Sequence, residues 1–367
     1  MPMTLPSDSP AHTPVSGHLL SSPSAADKYG VQARALQTWI GVAPGNGPGA
    51  SPETLSEFVA EWLPVIRASI RPSTWESYRA NLANHVLSRL GGVALGDLGP
   101  TDLNRLYLEL LSSGRADGSG GLSAKTVHYV HTIVHRVLRD AVRWGRLERN
   151  PASLCDPPRQ VRPEISPWGE EEAKRFLLAV RDDPLYALYV LAITTGLRRG
   201  ELLGLTWGAL DLPRGRLFVG QSLVVVNYSL ELSSPKTRRS RRSVALDEGT
   251  VAALAEHRSR RKQATHVLAA SRSDSGLVFT RADGSPVHPH SVSQGFDRRI
   301  KRLGLPRIRF HDLRHTSATL ALSAGIHPKV VSERLGHASV TITLDTYSHV
   351  VPSLQEEAAA KIGALVL

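Results

Sequence analysis

Cysteine is almost absent from the 367 residues: Cys155 stands alone, so no intramolecular disulfide can form. The Cys/His spacing of a zinc finger is missing too, which excludes both the disulfide-stapled secreted domains and the common structural zinc modules. Aromatic residues make up only 5% of the chain. Long apolar runs are lacking as well. The most apolar stretch, Leu185 to Leu197, is interrupted by Thr194, Thr195 and Gly196 and meets Arg198 and Arg199, too short to cross a bilayer and suited to a buried helix. The N-terminus shows no charged n-region followed by an apolar h-region, so the expected location is the reducing cytoplasm, with no membrane partner. There is no Walker loop, no G-x-G-x-x-G and no heptad run, so nucleotide hydrolysis and coiled-coil assembly lose their usual support.

Acidic residues are the minority charge. Asp and Glu number 33 against 44 Lys and Arg, a net charge of +11. The excess is clustered: between Lys236 and Lys262 nine basic side chains face three acidic ones, and Arg298, Arg299, Lys301 and Arg302 form a second group. Such a cluster is either a solvated face or an anion-binding surface. Nucleic acid is the functional reading, because each neutralised backbone phosphate releases condensed counterions. With 41% apolar residues the chain can still bury a sizeable core.

Residues 1–52 hold eight of the 24 prolines and only Asp8, Asp27, Lys28 and Arg34 as charges, the composition of a disordered or weakly ordered extension. Residues 53–150 carry helical periodicity, with segments near 54–69, 73–90, 101–113 and 123–144. Ser73 and Glu76 have the spacing of a capping box, and Val127, Val130, Val134, Val137, Leu138 and Ala141 form one apolar stripe behind Ser123. A small helical domain is the expected product. The row His128, His131, His135, with Arg136 and Arg139, is either a solvated face or a contact surface. Residues 151–167 are punctuated by proline and read as a linker.

From 168 to 352 the pattern predicts helices at 169–181, 185–197, 247–263, 290–303, 311–324 and 328–335, with short strands at 214–219, 223–226, 242–246 and 277–280. A long loop containing Lys236 joins two of the strands. Gly325 and Gly336 fall just past two helices, where a left-handed cap is expected. The fold class is mainly α with a small antiparallel β-sheet. Residues 353–367 form a last helix, expected at Ser353 to Leu365 with Ala358, Ala359, Ile362 and Leu365 apolar, either packed on its own domain or exchanged between protomers.

Four separated segments carry chemistry: Thr195-Gly196-Leu197-Arg198-Arg199-Gly200-Glu201, Pro235-Lys236-Thr237, His311-Asp312-Leu313-Arg314-His315, and Leu335-Gly336-His337 with Tyr347 ten residues on. Each alone is ordinary. Arg198 can pair with Glu201 at a helix start, His311 and Arg314 three apart can hold a carboxylate or a phosphate, and a tyrosine is commonly core. The His311/His315 spacing also occurs in metal sites, but this segment lacks the glutamate of H-E-x-x-H, and no metal is expected.

Together and in this order the four segments resemble the tyrosine site-specific recombinases, the phage-type integrases, over nearly the whole second domain. The resemblance implies a helical core-DNA-binding domain followed by an α+β catalytic domain. It implies that Arg198 and Arg314 clamp the scissile phosphate, Lys236 acts as general acid, His311 and His337 handle protons and phosphate, Glu201 is the supporting carboxylate, and Tyr347 is the nucleophile. Arg238, Arg239, Arg241 and Arg242 would then contact the DNA backbone, which positions the enzyme without specifying sequence. Arg199, His315 and His349 would be neighbours of the site. The implied partners are double-stranded DNA attachment sites and a homo-tetramer on DNA, formed from a monomer or weak oligomer, with an accessory DNA-bending or directionality factor. Residues 1–52 show no basic patch or strand pattern for the arm-binding domain that many such integrases carry.

The roles make physical sense. In-line attack on a phosphodiester builds charge on the equatorial oxygens, which two fixed guanidiniums can hold with planar paired donors, so no cofactor is expected. A tyrosine with an ordinary pKa near 10 needs cationic or basic neighbours to attack at neutral pH. A loop lysine can protonate the leaving 5′-oxygen. The resulting 3′-phosphotyrosyl link keeps the bond energy, so rejoining needs no ATP. Two other activities fit the same residues: DNA relaxation like that of a type IB topoisomerase, and non-catalytic DNA binding by a regulator derived from an integrase.

Overall fold

The computed structural model describes residues 52–115, 117–160, 166–234, 241–267, 275–347, 359–360 and 362–366, the side chains of 264–267 and 345–347 excepted. The chain divides into two units, one formed by the residues up to Ser69 with Arg79–Arg159, the other by Ile70–Tyr78 with Gln160–Leu367.

In the first unit, α1 (Leu55–Arg67) opens with a capping box in which Thr54 and Glu57 satisfy each other's amide and hydroxyl donors. Helix α2 (Pro72–Asn81), whose residues up to Tyr78 are grouped with the second unit, starts one residue before Ser73, so Ser73 lies inside the first turn and not at the cap position its spacing with Glu76 predicts. A π-helical stretch (Leu82–Leu87) and a final turn (Ser88–Leu90) extend it. Helices α3 (Pro100–Ser113) and α4 (Ala124–Arg143) complete the unit, the latter capped by Ser123, whose hydroxyl accepts from the Thr126 amide. Every residue of the predicted α4 stripe is buried, with Ile133 added. The core also takes in Trp62, whose indole donates to Asp140 at 2.9 Å, so the one buried carboxylate of α4 has its partner. Residues Pro151–Leu154, a 3₁₀ turn in the stretch read as linker, belong to this unit, held by Asn150 Nδ2 donating to His135 O at 3.0 Å.

The second unit is built around α6 (Tyr186–Thr195), which follows α5 (Glu170–Ala179) and buries all but two of its ten residues. That is what an apolar run without a polar face requires. The few aromatics concentrate here: Trp168, Phe176, Tyr189, Phe296 and Phe310 form a chain of ring contacts with centroids 5.1 to 6.3 Å apart. A short α7 (Arg199–Leu203) leads to the strands β1 (Leu210–Asp211), β2 (Arg216–Val219), β3 (Ser222–Val226), β4 (Ser229–Ser233) and β5 (Arg242–Ala245). They form an antiparallel sheet in the order β1-β2-β5 and a separate β3-β4 hairpin. The hairpin turns on Asn227 and Tyr228, both at positive φ, as a two-residue turn of this hand demands.

Strand β4 was not among the predicted strands. Residues 277–280 were, but they make only isolated bridges, Thr206 with Leu277 and Thr280 with Pro286, around a turn at Asp283-Gly284. Helices α8 (Glu248–Val267), α9 (Pro289–Arg302), α10 (Leu313–Ser323), α11 (Pro328–Leu335) and α12 (Val340–Tyr347) follow. Helix α10 begins at Leu313, so His311 sits in a preceding 3₁₀ turn (Phe310–Asp312) and not on the helix expected from 311. Of the predicted C-terminal helix, residues 359–360 and 362–366 are described and helical. Among the described residues no helix is long and apolar enough to cross a membrane.

Candidate active site

The site grows from two left-handed turns. Gly196 caps α6 at φ 64° and Gly336 caps α11 at φ 70°, conformations in which a Cβ would be strained and would meet Leu335 and Arg242 respectively. The Gly196 turn delivers Leu197 into the core and Arg198 to the N-cap of α7. Arg198 is held at both ends: its backbone amide donates to Glu201 Oε2 at 3.0 Å and its Nη1 to Oε1 at 2.9 Å. Its Nη2 reaches the Gly336 carbonyl at 3.4 Å. Arg314, buried on α10, donates from Nη1 to the Gly196 carbonyl at 2.8 Å. Each arginine is thus anchored on the backbone of a glycine turn.

Behind them lies Arg242, and here the structure corrects the sequence reading. Arg242 is not an exposed DNA-backbone contact; its side chain is 7% exposed and pairs with Glu201, itself 6% exposed, at 3.0 Å. Its Nη1 also approaches Glu201 Oε1 at 3.3 Å and its Nε donates to Arg334 O at 2.6 Å. Strand alternation is the physical reason: in β5, Arg242 and Val244 face inward while Ser243 and Ala245 face outward. Arg241, one residue earlier, is exposed. Glu201 therefore supports arginines, Arg198 on one side and Arg242 on the other. Burial alone would raise its pKa, but the Arg242 hydrogen bond and charge, then Arg198, hold it below the ordinary carboxylate value.

The histidines complete the cluster. His337 follows the Gly336 turn, its Nδ1 2.8 Å from Thr343 Oγ1 on α12. Desolvation, then Arg314, Arg198, His315 and Arg242, push its pKa down to about 4, so the ring is neutral at pH 7. His311 is exposed at the rim, its ring centroid 6.0 Å from that of His315. Desolvation lowers the pKa of both; His315 and Arg314 add to this at His311, and at His315 Asp312 pulls the other way. Arg199 is turned aside, bonded to Ser293. The structure thus brings together Arg198, Glu201, Arg314 and His337, places His311 close by, and adds Arg242, His315 and Thr343. Lys236, Arg238 and Arg239 lie outside the described residues, and Tyr347 is described only as the last backbone position of α12. In the other unit the histidine row of α4 is partly engaged internally, His131 with the Tyr107 hydroxyl at 3.0 Å and His135 with Ser153 at 3.1 Å.

Residues 169–353, which contain every residue of this cluster, match the phage integrase family. The chain belongs to that family. Residues 54–111 match the N-terminal SAM-like domain of phage integrases, so both units of this integrase carry a family signature. A tyrosine recombinase XerC-like protein of Caldanaerobacter subterraneus subsp. tengcongensis is 29% identical, covering 86% of this chain and 84% of its own length. The ICEBs1 integrase of Bacillus subtilis is 30% identical over 67% of each chain. Among solved structures, a Tn1549 transposon integrase in complex with a circular-intermediate DNA has the same fold, with a TM-score of 0.68 at 21% identity over 86% of this chain and all of that one. A lambda integrase dimer bound to a core site gives 0.59 at 17% identity over 80% of this chain and 95% of that one. The chain is an enzyme of the tyrosine recombinase class. Its relatives are recombinases and integrases, which does not favour the topoisomerase or regulator alternatives.

Proposed function

We propose that this integrase carries out site-specific recombination by cleaving duplex DNA at the Arg198–Arg314–His337 cluster, with Tyr347 as nucleophile. The observation that carries the reading is the convergence of two backbone-anchored guanidiniums and one imidazole from α7, α10 and the α11 cap onto the Gly196 and Gly336 turns. Arg198 and Arg314 hold the non-bridging oxygens of the scissile phosphate as charge builds in the transition state, and His337 donates a further hydrogen bond. Such donors act most strongly when fixed beforehand in a partly desolvated site. Tyr347 Oη attacks phosphorus in line, its proton passing to a basic neighbour, with His311 the candidate; the bond to the 5′-oxygen breaks and Lys236 supplies that oxygen's proton. The 3′-phosphotyrosyl bond is then open to attack by the 5′-hydroxyl of a second strand, which restores a phosphodiester and frees the tyrosine. Arg238, Arg239 and Arg241 are the candidates for contacts to the DNA backbone.

Four protomers on two sites would supply the strands to be exchanged. Exposed Ile362, Leu365 and Val366 in the C-terminal segment support a tail that docks on a neighbouring protomer. The test is to express the wild type and Tyr347→Phe in cells, denature, purify the protein and sequence covalently attached DNA. Adducts at a defined sequence from the wild type alone are expected; equal adducts from both proteins would remove Tyr347 from its role.

A further inference from the structure

Helix α12 buries an unusual residue. Thr343 is 0% exposed, while its apolar neighbours Ile342 and Leu344 are 44% and 45% exposed. A helix that leaves its isoleucine and leucine in solvent and turns a threonine inward is not positioned by apolar burial at that face. The buried hydroxyl lies 2.8 Å from His337 Nδ1. Two hydrogen arrangements fit that distance. Either the hydroxyl donates to Nδ1 and the ring proton sits on Nε2, or Nδ1–H donates to the hydroxyl and Nε2 is bare.

A phosphate oxygen only accepts, so the two arrangements are not equivalent. A neutral ring can donate to phosphate from Nε2 only in the first. Burial together with Arg314, Arg198, His315 and Arg242 keeps this ring neutral in the free protein, so tautomer and not charge decides whether it arrives as a donor.

We propose that Thr343 is a positioning residue for strand cleavage: its hydroxyl donates to His337 Nδ1 and holds the ring as the Nε2–H tautomer. Because Thr343 stands one helical turn before position 347, the donor state of His337 is set only while the helix that ends at Tyr347 is docked. The phosphate-binding group and the nucleophile's helix are thereby coupled through one hydroxyl. This inference rests on the proposed reading of His337 as a phosphate ligand.

The test uses the full chain and a duplex oligonucleotide carrying the sequence recovered from wild-type adducts, nicked so that cleavage traps the covalent product. At saturating duplex, Thr343→Val is expected to form adduct about tenfold more slowly with duplex affinity changed less than twofold, and Thr343→Ser to return within about threefold of wild type. Long-range ¹⁵N–¹H imidazole spectra of the free wild type are expected to show His337 Nε2 protonated and Nδ1 bare, and Thr343→Val to show a mixture. Wild-type cleavage by Thr343→Val overturns the proposal. A wild-type ring with its proton on Nδ1 overturns it too, and that readout needs no variant to fold. His337→Ala separates the two levels: if it cleaves at the wild-type rate, the reading of His337 itself fails, whereas a slow His337→Ala beside a normal Thr343→Val removes only the role of Thr343.

Discussion

Replacing Glu201 by Gln tests whether a buried carboxylate holds Arg198 and Arg242 in place. Glu201 accepts four hydrogen bonds, from the amide and Nη1 of Arg198 at 3.0 and 2.9 Å and from Nη2 and Nη1 of Arg242 at 3.0 and 3.3 Å. A glutamine keeps one oxygen, so two of the four are lost and an NH₂ group faces donors. It also leaves the Arg242 guanidinium in the interior without a counter-charge. Two charge-assisted bonds at about 1.5–3 kcal/mol each, or a broken buried pair at about 3–5 kcal/mol, both point to a loss near 4 kcal/mol. A loss of that size leaves the protein folded if its stability is typical, and lowers Tm by roughly 8–16 °C.

Urea unfolding of the wild type, Glu201→Gln, Arg242→Met and the double variant measures it. The double variant should lose at least about 2 kcal/mol less than the sum of the singles, because removing both charges leaves neither stranded. Cleavage by Glu201→Gln should fall as well, since Arg198 loses the carboxylate charge that helps hold it beside the Gly336 carbonyl. A Glu201→Gln variant within about 1 kcal/mol of wild type, or strict additivity in the double, would refute the reasoning.

Arg198→Lys and Arg314→Lys each lose planar paired donation, and adduct formation should drop roughly 10²- to 10³-fold in single-turnover cleavage with folding intact; wild-type rates would remove that arginine from the clamp. Gly336→Ala forces a Cβ into a left-handed turn and to within 2.9 Å of Arg242 Nη1, so it should destabilise by about 2 kcal/mol or more, and an unchanged urea midpoint would contradict the turn's role. His337 has a folded pKa of about 4 against an ordinary 6.5, so its contribution is complete above pH 6.5 and is lost as pH falls toward 4. By linkage the loss at pH 5 is about 2 kcal/mol, or about 1 kcal/mol allowing for the ring's partial exposure, and His337→Gln should flatten the urea midpoint between pH 7 and 5 by that share; an unaltered slope counts against it. DNA affinity should fall steeply between about 50 and 200 mM salt, and a flat response in a filter-binding titration would remove the basic surface from the DNA contact.

The helices were legible because their signals are local. The α4 stripe and the apolar run of α6 are period and composition, and both are buried as read. The hairpin partner β4 was missed although Ser229–Ser233 alternates, because five residues with a central glutamate give a weak strand signal. Ser73 is the second residue of the helix and not its cap, since Pro72 can itself open a helix. At the site, motif order was enough to gather Arg198, Arg314 and His337. What failed was Arg242, counted by its charge among a basic run when the strand period already assigned it to the same face as Val244. Thr343 carried no charge and no motif. Its part emerges only when α12 is seen folded against the turn after α11.

Arg198 and Arg314 are tied to the carbonyls of the Gly336 and Gly196 turns, so the backbone fixes where both guanidiniums sit. Under the proposed reading, backbone tethers of this kind do not themselves choose which strand is cut. Under the proposed roles, that choice falls to groups from other segments, Lys236 before β5 and Tyr347 at the end of α12. The proposed chemistry thus divides between two arginines tied to backbone carbonyls and two groups that come from other segments.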